Sequence, residues 1–352
     1  MAEVFYTVAP HLHRMARREA GVIVDLDFEI PDQSPSLWGG IYIGRVIETQ
    51  KPLQAAFVDV GQTHPGLLPL REGRLPPVKQ GDPVLVQVNR TENPLEGKGV
   101  RLTRLITLSL GPLLYTPLRA GLSLSKKIKD REAFKNLFPL RPEEGLVVRH
   151  GALSTDPLLD FFLQLREEWA LIQTQMPQKP PFCVSPLPSL LTRVLRSMSP
   201  SDRLVLDDRK MVLLSKGRGL YSQDKAFDEE CEEAWDSLSS TEIPMSQGGN
   251  LSIEETKGLV VIDVNSQGAL KQILPFNRTA IKEALRQIRL RELGGKIVID
   301  LIGAPRELPP LLQGLSIPSD VEIFGLSPLH LLEMIRRRRR LSLPQRLKLQ
   351  IN

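Results

Sequence analysis

The chain has 352 residues, long enough for two or three domains with full-sized cores, and its formal charge of +5 with a pI near 9.2 suits a polyanionic partner. Only two cysteines occur, Cys183 and Cys231, far apart and in no CxxC pair, which excludes a zinc ribbon and argues against a disulfide framework. No apolar run approaches the roughly 20 residues needed to span a bilayer, and the opening MAEVFYTVAPHLHRMARREAG lacks the apolar core of a secretory signal, so a soluble cytoplasmic protein with no membrane contact is expected.

Residues 1–35 read as two short strands, Val4–Val8 and Gly21–Phe28, followed by a loop with Pro31 and Pro35. That is too little for a domain, so these strands must pair with later ones. From Leu37 to Ser109 the runs Gly40–Thr49, Gln54–Val60, Pro65–Leu70, Pro83–Asn89 and Gly99–Leu105 alternate with turn residues, which predicts a small Greek-key barrel of the OB type. Pro112–Pro188 carries LSKKIKDREAF, the strand-like GLVVRHG and an apolar-periodic helix over Leu158–Gln173. Lys126, Lys127, Arg131 and Arg149 give this region a basic side, while Cys183 in PFCVSP is expected to be a buried small residue. Leu190–Leu220 reads as a helix and then a strand pair, Arg203–Asp207 and Lys210–Leu214, turning at Asp208-Arg209 and supplying partners for the N-terminal strands. Phe227–Leu238 is an acidic, solvated helix.

A hairpin through Asn250–Glu255 and Lys257-Gly258 then delivers Leu259–Asn265, LVVIDVN, which is echoed by Lys296–Leu301, KIVIDL. Each run is β-branched and ends in an aspartate, Asp263 or Asp300. Ile281, Leu285, Ile288 and Leu293 give the intervening segment helical periodicity, closed by Gly294-Gly295. Strand, helix and strand predict a βαβ unit with parallel strands and both aspartates at their carboxyl ends, where open α/β sheets build their sites. Asn265, two residues past Asp263, faces the same side if the strand persists. Strand-end aspartates can simply cap the following loop. Two carboxylates and an amide oxygen are also the hard donors that Mg²⁺ or Mn²⁺ prefers.

The phrases GGIYIGRV, QAAFVDVG and PGLLPL, with GGNLSIEETKGLVVIDVNS and RQIRLRELGGKIVIDL further on, resemble the ribonuclease E/G family over some 300 of the 352 residues. The resemblance implies an α+β and α/β multidomain fold. An RNase H-like subdomain, 1–35 and 189–238, would be split by an OB-fold RNA-binding domain, 36–110, and a 5′-sensor-like region, 111–188. A DNase I-like catalytic domain with a basic tail would follow at 239–352. It implies Mg²⁺ (or Mn²⁺) held by Asp263 and Asp300 with Asn265 as a catalytic partner, and water attacking in line to leave 5′-phosphate and 3′-hydroxyl ends. Phe57 and Lys98 match RNA-binding positions, and Leu67 stands where the family has a second aromatic. Arg149 matches the arginine of the family's 5′-phosphate sensor, His150 stands where the family has a threonine, and Lys126, Lys127 and Arg131 supply the basic side of that pocket. Arg289, Arg291, Arg336 and Arg338 would meet RNA phosphates, the last two in a phrase that ends a family helix. His330 is expected to pack. The second strand continues as IDLIGAP, so Gly303 stands where a further aspartate often lies. The family's zinc link and small C-terminal domain have no counterpart, so the expectation is a compact form with no zinc, a monomer or weak dimer. Single-stranded RNA, an rRNA precursor or mRNA, is the expected substrate of this endonuclease in RNA processing. The competing reading is a non-catalytic RNA-binding protein acting in ribosome assembly or mRNA regulation.

Overall fold

The computed structural model describes residues 2–31, 37–73, 75–93, 97–126, 128, 130–149, 157–199, 201–222 and 225–351. The chain forms two compact units, one made of Pro31–Arg203 with Leu213–Arg218, the other of Ala2–Ile30, Leu204–Val212 and Gly219–Asn352.

The chain starts as an antiparallel meander of β1 (Ala2–Ala9), β2 (Leu12–Glu19) and β3 (Val22–Glu29). Two strands were expected here and three are found. The extra one, LHRMARRE, reads as a polar connection because its core face is Ala16 flanked by two arginines. Arg18 lies 4.7 Å over the Phe5 ring, and Arg14 lies 4.7 Å over Phe227 while forking onto Glu232 at 2.7 and 2.9 Å. Their alkyl stems and cation–π contacts replace the apolar alternation that marks a strand.

Five strands close the expected barrel: β4 (Ile41–Gln50), β5 (Ala55–Asp59), β6 (Gly66–Pro69), β7 (Pro83–Arg90) and β8 (Arg101–Thr103). Their order is β4-β5-β6-β8-β7, with β4 also pairing β7 and with β6 and β8 parallel, which is the OB topology. Val46, Val58, Leu68, Val86 and Leu102 fill the interior.

The next sheet, in the order β11-β12-β10-β9, comes from β9 (Leu108–Leu110), β10 (Leu113–Thr116), β11 (Gly121–Leu124) and β12 (Gly145–Val148), with the short α1 (Glu132–Lys135) before the last. The following α2 (Leu158–Thr174) buries Leu158, Phe162, Leu165, Trp169 and Ile172, spaced by four and three, in one cluster with Leu113, Tyr115, Leu146 and Val148. Glu144 is buried at the entrance to β12. Its carboxylate accepts from the Tyr115 hydroxyl at 2.7 Å, from Arg166 and from the Arg141 N–H. Burial pushes Glu144 up, but the bonds from Arg166, Arg141 and Tyr115 outweigh it and hold the group below the ordinary value of 4.5. A depressed carboxyl stabilises the fold above its unfolded pKa and loses that contribution as pH falls through the folded one. Glu144→Gln should therefore cost about 2 kcal/mol in a denaturant titration at pH 7, and the gap to wild type should close below about pH 4.5. A gap unchanged at pH 3 would refute this account.

Strand β13 (Phe182–Ser185) joins β4 at the barrel edge, and α3 (Leu190–Ser197) follows, capped by Ser189. Cys183 is exposed rather than buried, because β13 is an edge strand. The expected hairpin at 203–214 does not form. Instead β14 (Arg203–Leu206) leads into α4 (Arg209–Leu214) and on to β15 (Gly219–Tyr221), which lies parallel to β14. The carboxylate of Asp208 accepts from Met211 N–H at 2.9 Å and starts the helix, so KMVLL, an apolar run that periodicity alone cannot assign, turns helical. Asp207 accepts from the Thr7 hydroxyl, Val8 N–H and Ala226 N–H, tying β14 to β1. The sheet order is β15-β14-β1-β2-β3, so the N-terminal strands do pair with later ones.

After α5 (Glu229–Asp236), the chain builds a six-stranded sheet from β16 (Glu242–Pro244), β17 (Asn250–Glu255), β18 (Leu259–Asn265), β19 (Gly295–Asp300), β20 (Val321–Leu326) and β21 (Leu332–Arg336), in the order β16-β17-β18-β19-β21-β20. The helix α6 (Ile273–Leu290) links β18 to β19, with α7 (Leu308–Leu312) and α8 (Leu343–Ile351) further on. Val260, Ile262, Val264, Ile297 and Ile299 share one core with Ala280, Ile281, Ala284, Leu285 and Ile288 of α6. LEMIR, expected within the end of a helix, is strand β21. Its side chains alternate between buried Leu332 and Met334 and exposed Glu333 and Ile335, a period of two. Among the described residues no helix is long and apolar enough to cross a membrane.

Candidate active site

Because β18 and β19 are buried on one face only, every second residue points away from α6. Asp263, Asn265 and Asp300 are the exposed members of this alternation at the carboxyl ends of the two strands. Strands β18 and β19 are parallel, and Asp263 pairs directly with Asp300 in the register. Neighbouring strands run about 4.8 Å apart, so the two carboxylates stand side by side. Two such groups form an oxygen-only donor set, which fits a Mg²⁺ or Mn²⁺ ion that keeps most of its waters and takes one or two carboxylates. Among the described residues, no three His, Cys, Asp or Glu side chains gather as a metal-holding group.

The row extends across the sheet. Ser252 lies opposite Asp263, and Glu242 lies opposite Ser252. One step on, Asn250 pairs with Asn265. The Asn250 amide nitrogen donates to Glu242, while its Oδ1 is buried without a hydrogen-bond partner. Asn265 Oδ1 accepts from Gln267 N–H at 2.9 Å, which fixes the amide and leaves Nδ2 as the group it presents. Gly249 (φ +77°) has no alternative here, because a Cβ would stand 2.4 Å from the Asn265 carbonyl.

Beyond Asp300 the chain turns through Gly303 and Ala304, both at positive φ. Two side chains hold this loop. Asn277, fully buried on α6, donates from Nδ2 to Ile302 O at 2.9 Å and accepts from Ile302 N–H at 3.2 Å. His330 approaches Pro305 O through Nδ1 at 3.2 Å, and since a carbonyl only accepts, that nitrogen carries the proton. Lys271, on the loop leaving β18, and Arg306, on the loop leaving β19, are exposed cations at this same edge. Neither was singled out from the sequence, where they sit among many similar charges.

The arginines expected to meet RNA in this unit are placed otherwise. Arg289 forks onto Asp25 at 2.6 and 2.9 Å and onto Glu19 at 2.8 and 3.1 Å, which raises its pKa despite burial. Arg291 is 3% exposed and donates to Gln287 and the Ser237 carbonyl, with burial pushing it down to about 10. Arg336 donates to Asp320 and to the carbonyls of Ile288 and Leu293, and Arg338 to Gly294 O. All four frame the ends of α6 and β21.

In the barrel, Phe57, Leu67 and Arg101 are register partners on β5, β6 and β8. Their neighbours Ala56, Val58, Leu68 and Leu102 point into the core, so Phe57 and Leu67 stand on the outer surface with the exposed Arg101 beside them. Lys98 lies before β8, in an isolated bridge with Asn93, and is exposed. In the sheet that follows, Arg149 is exposed at the end of β12, and its N–H donates to Pro112 O. Lys126 is exposed after β11, and Arg131 reaches the carbonyls of Leu124 and Ser125. His150 and Lys127 lie outside the described residues.

A profile of the Ribonuclease E/G family matches residues 108–339, covering both the β9–β12 sheet and the carboxylate pair. The chain belongs to this family. Ribonuclease E of Escherichia coli (strain K12) is 31% identical over 82% of this chain and 32% of its own length. Ribonuclease G of Salmonella typhimurium (strain SL1344) is 28% identical over 97% of this chain and 81% of its own. Ribonuclease E of Synechocystis sp. is 30% identical over 75% and 46%. The chain spans 32% to 40% of the length of three ribonuclease E relatives. In the ribonuclease E/G family this chain thus has a matched region that ends just past β21, inside the arginine run.

Proposed function

We propose that this chain is a divalent-metal-dependent endoribonuclease that cuts single-stranded RNA. The observation that carries the reading is the in-register pair Asp263–Asp300 on the open sheet face, in a chain whose relatives are named ribonuclease E and ribonuclease G. Asp263 and Asp300 would hold the cation, Mg²⁺ or Mn²⁺. When bound, such a cation makes hydroxide available from water and offsets charge on the reacting phosphate. Asn265, with its oxygen occupied by Gln267, acts as a donor from Nδ2 toward the attacking water or a carboxylate, rather than as an oxygen ligand. Lys271 and Arg306 suit the scissile-strand phosphates better than Arg289 and Arg291, which are spent on the frame. Attack in line leaves 5′-phosphate and 3′-hydroxyl ends, and the route serves RNA processing or decay in the cytoplasm. The arrangement of the subdomains follows the family: an RNase H-like sheet of β1–β3 with β14 and β15, an inserted OB barrel and sensor region, and a DNase I-like catalytic part.

The test is incubation of the chain with a 5′-monophosphorylated single-stranded RNA and Mg²⁺. Fragments with 5′-phosphates support the reading, whereas binding without scission would leave a non-catalytic RNA-binding protein in its place.

The barrel would grip the strand. An exposed ring stacks on a base without regard to sequence, so Phe57→Ala should weaken RNA binding by about 1–3 kcal/mol. Arg101→Ala should lower the slope of log affinity against log salt by about 0.7, the single-strand value for one lost phosphate contact. Fluorescence anisotropy over a salt series reads both, and an unchanged affinity for Phe57→Ala would exclude the platform.

Arg149 follows β12 and Lys126 follows the parallel, neighbouring β11, whose end Arg131 also reaches; together they would take the 5′-monophosphate. Cleavage of 5′-phosphate RNA should exceed that of 5′-hydroxyl RNA by about 10-fold, one charge-assisted contact, and Arg149→Ala should erase the difference. Equal rates on both RNAs with the wild type would remove the sensor from the proposal.

A further inference from the structure

We infer that Asn277 is a positioning residue that sets Asp300 for metal binding, an inference that rests on the endoribonuclease reading above. The argument begins from an unfavourable placement. Asn277 is fully buried on α6, in the stripe that continues through Ile281, Ala284 and Ile288 toward the sheet. An amide there sacrifices apolar contact and must be desolvated, at a cost that only well-made hydrogen bonds offset. Both of its polar atoms go to a single residue. Nδ2 donates to Ile302 O at 2.9 Å and Oδ1 accepts from Ile302 N–H at 3.2 Å. The side chain therefore pairs with Ile302 as a neighbouring strand would.

Ile302 is the second residue after Asp300, where β19 has ended and its ladder bonds have stopped. The following Gly303 and Ala304 both take positive φ, a course that an untethered loop would not keep. At Gly303 a Cβ would come within 3.0 Å of Ile273 on the first turn of α6, so the loop is seated against that helix. Asn277 thus extends the order of β19 past its last ladder pair and holds the backbone from which the Asp300 carboxylate projects. A cation needs its two carboxylates at one separation, and residues behind the ligands commonly set that geometry. Other polar positions of α6 have different duties. Gln287, equally buried, donates to Glu283 and accepts from Arg291, away from the loop.

The test is Mn²⁺ binding to the full chain, followed by electron paramagnetic resonance, on wild type, Asn277→Leu, Asn277→Asp, Gln287→Leu and Asp300→Asn. Asn277→Leu keeps the volume and removes both bonds. It should weaken Mn²⁺ binding by about 10- to 100-fold, the usual effect of losing a group that orients a metal ligand. Asn277→Asp keeps the acceptor for Ile302 N–H and should recover part of the loss. Gln287→Leu should bind Mn²⁺ as wild type does, even where its thermal midpoint falls as far as that of Asn277→Leu. Unchanged Mn²⁺ affinity in folded Asn277→Leu would overturn the inference, as would equal weakening in Gln287→Leu, because the role would then be general stability. Failure of the underlying reading is a separate result: wild type and Asp300→Asn would bind Mn²⁺ equally poorly, and both claims would fall.

Discussion

Asp263→Asn and Asp300→Asn should each lower the single-turnover rate on a 5′-monophosphorylated single-stranded RNA by roughly 1,000-fold, equivalent to about 4 kcal/mol of transition-state stabilisation. The substitution keeps the side-chain shape and removes the charge. Both aspartates are exposed at strand ends and outside the hydrophobic core, so the variants should fold and melt as wild type does. RNA affinity should stay near the wild-type value, since the barrel surface around Phe57 is untouched. Asn265→Ala should cost less, about 100-fold, the range found on removing one donor from a reacting centre. The ordering decides between roles. A larger loss at Asn265 than at either aspartate would make the amide the principal group, and a wild-type rate in either aspartate variant would end the metal assignment.

What could be read from the residues differs between the ends of the two strands and what lies behind them. Repeated V/I-V-I-D runs flanking a helical segment placed Asp263 beside Asp300 correctly, because β-branched runs with period two fix both the strand and the face. The OB barrel was equally legible, since its strands are short and separated by turn residues. Strand β2 was not, because arginine stems lying over Phe5, Phe227 and Trp235 do the work of apolar side chains. Helix α4 was misassigned because four apolar residues, MVLL, carry no decisive period, and strand β21 because five residues, LEMIR, alternate too briefly to outweigh the phrase that resembles a helix end. The arginines exposed the deepest limit. Arg289 and Arg291 have the charge that RNA contact needs, but their partners Glu19, Asp25 and the Ser237 carbonyl lie far away in sequence. Asn277 left a faint signal, an amide four residues before Ile281 on the apolar stripe, and only the loop it holds explains that placement.

The same long-range pairing predicts the largest effect on stability. Asp27 on β3, Glu292 after α6, Arg340 before α8 and Arg346 on α8 form a neutral tetrad away from solvent. Asp27 Oδ1 accepts from Phe28 N–H at 2.9 Å and from Arg346 at 3.1 Å, and Oδ2 accepts from Arg340 at 3.3 Å. Glu292 takes Arg340 and Arg346 at 2.8 Å each. Arg346 also lies 5.1 Å over the Phe28 ring, and burial followed by the nearby Arg340 charge pushes it down. Removing Asp27 leaves two buried guanidinium groups facing one carboxylate. Asp27→Ala should therefore destabilise by about 3–5 kcal/mol, the cost of stranding a buried charge rather than the net worth of the pair. The double variant Asp27→Leu with Arg346→Met replaces both charges by apolar groups and should lose less than Asp27→Ala alone. Trp235 packs edge-on against Phe28 with ring centres 6.3 Å apart, so its fluorescence in a Trp38→Phe, Trp169→Phe background reports urea unfolding at this place. A double variant weaker than the single one would show that the tetrad contributes attraction beyond its own neutrality, and a loss under about 1 kcal/mol for Asp27→Ala would show that water reaches the site.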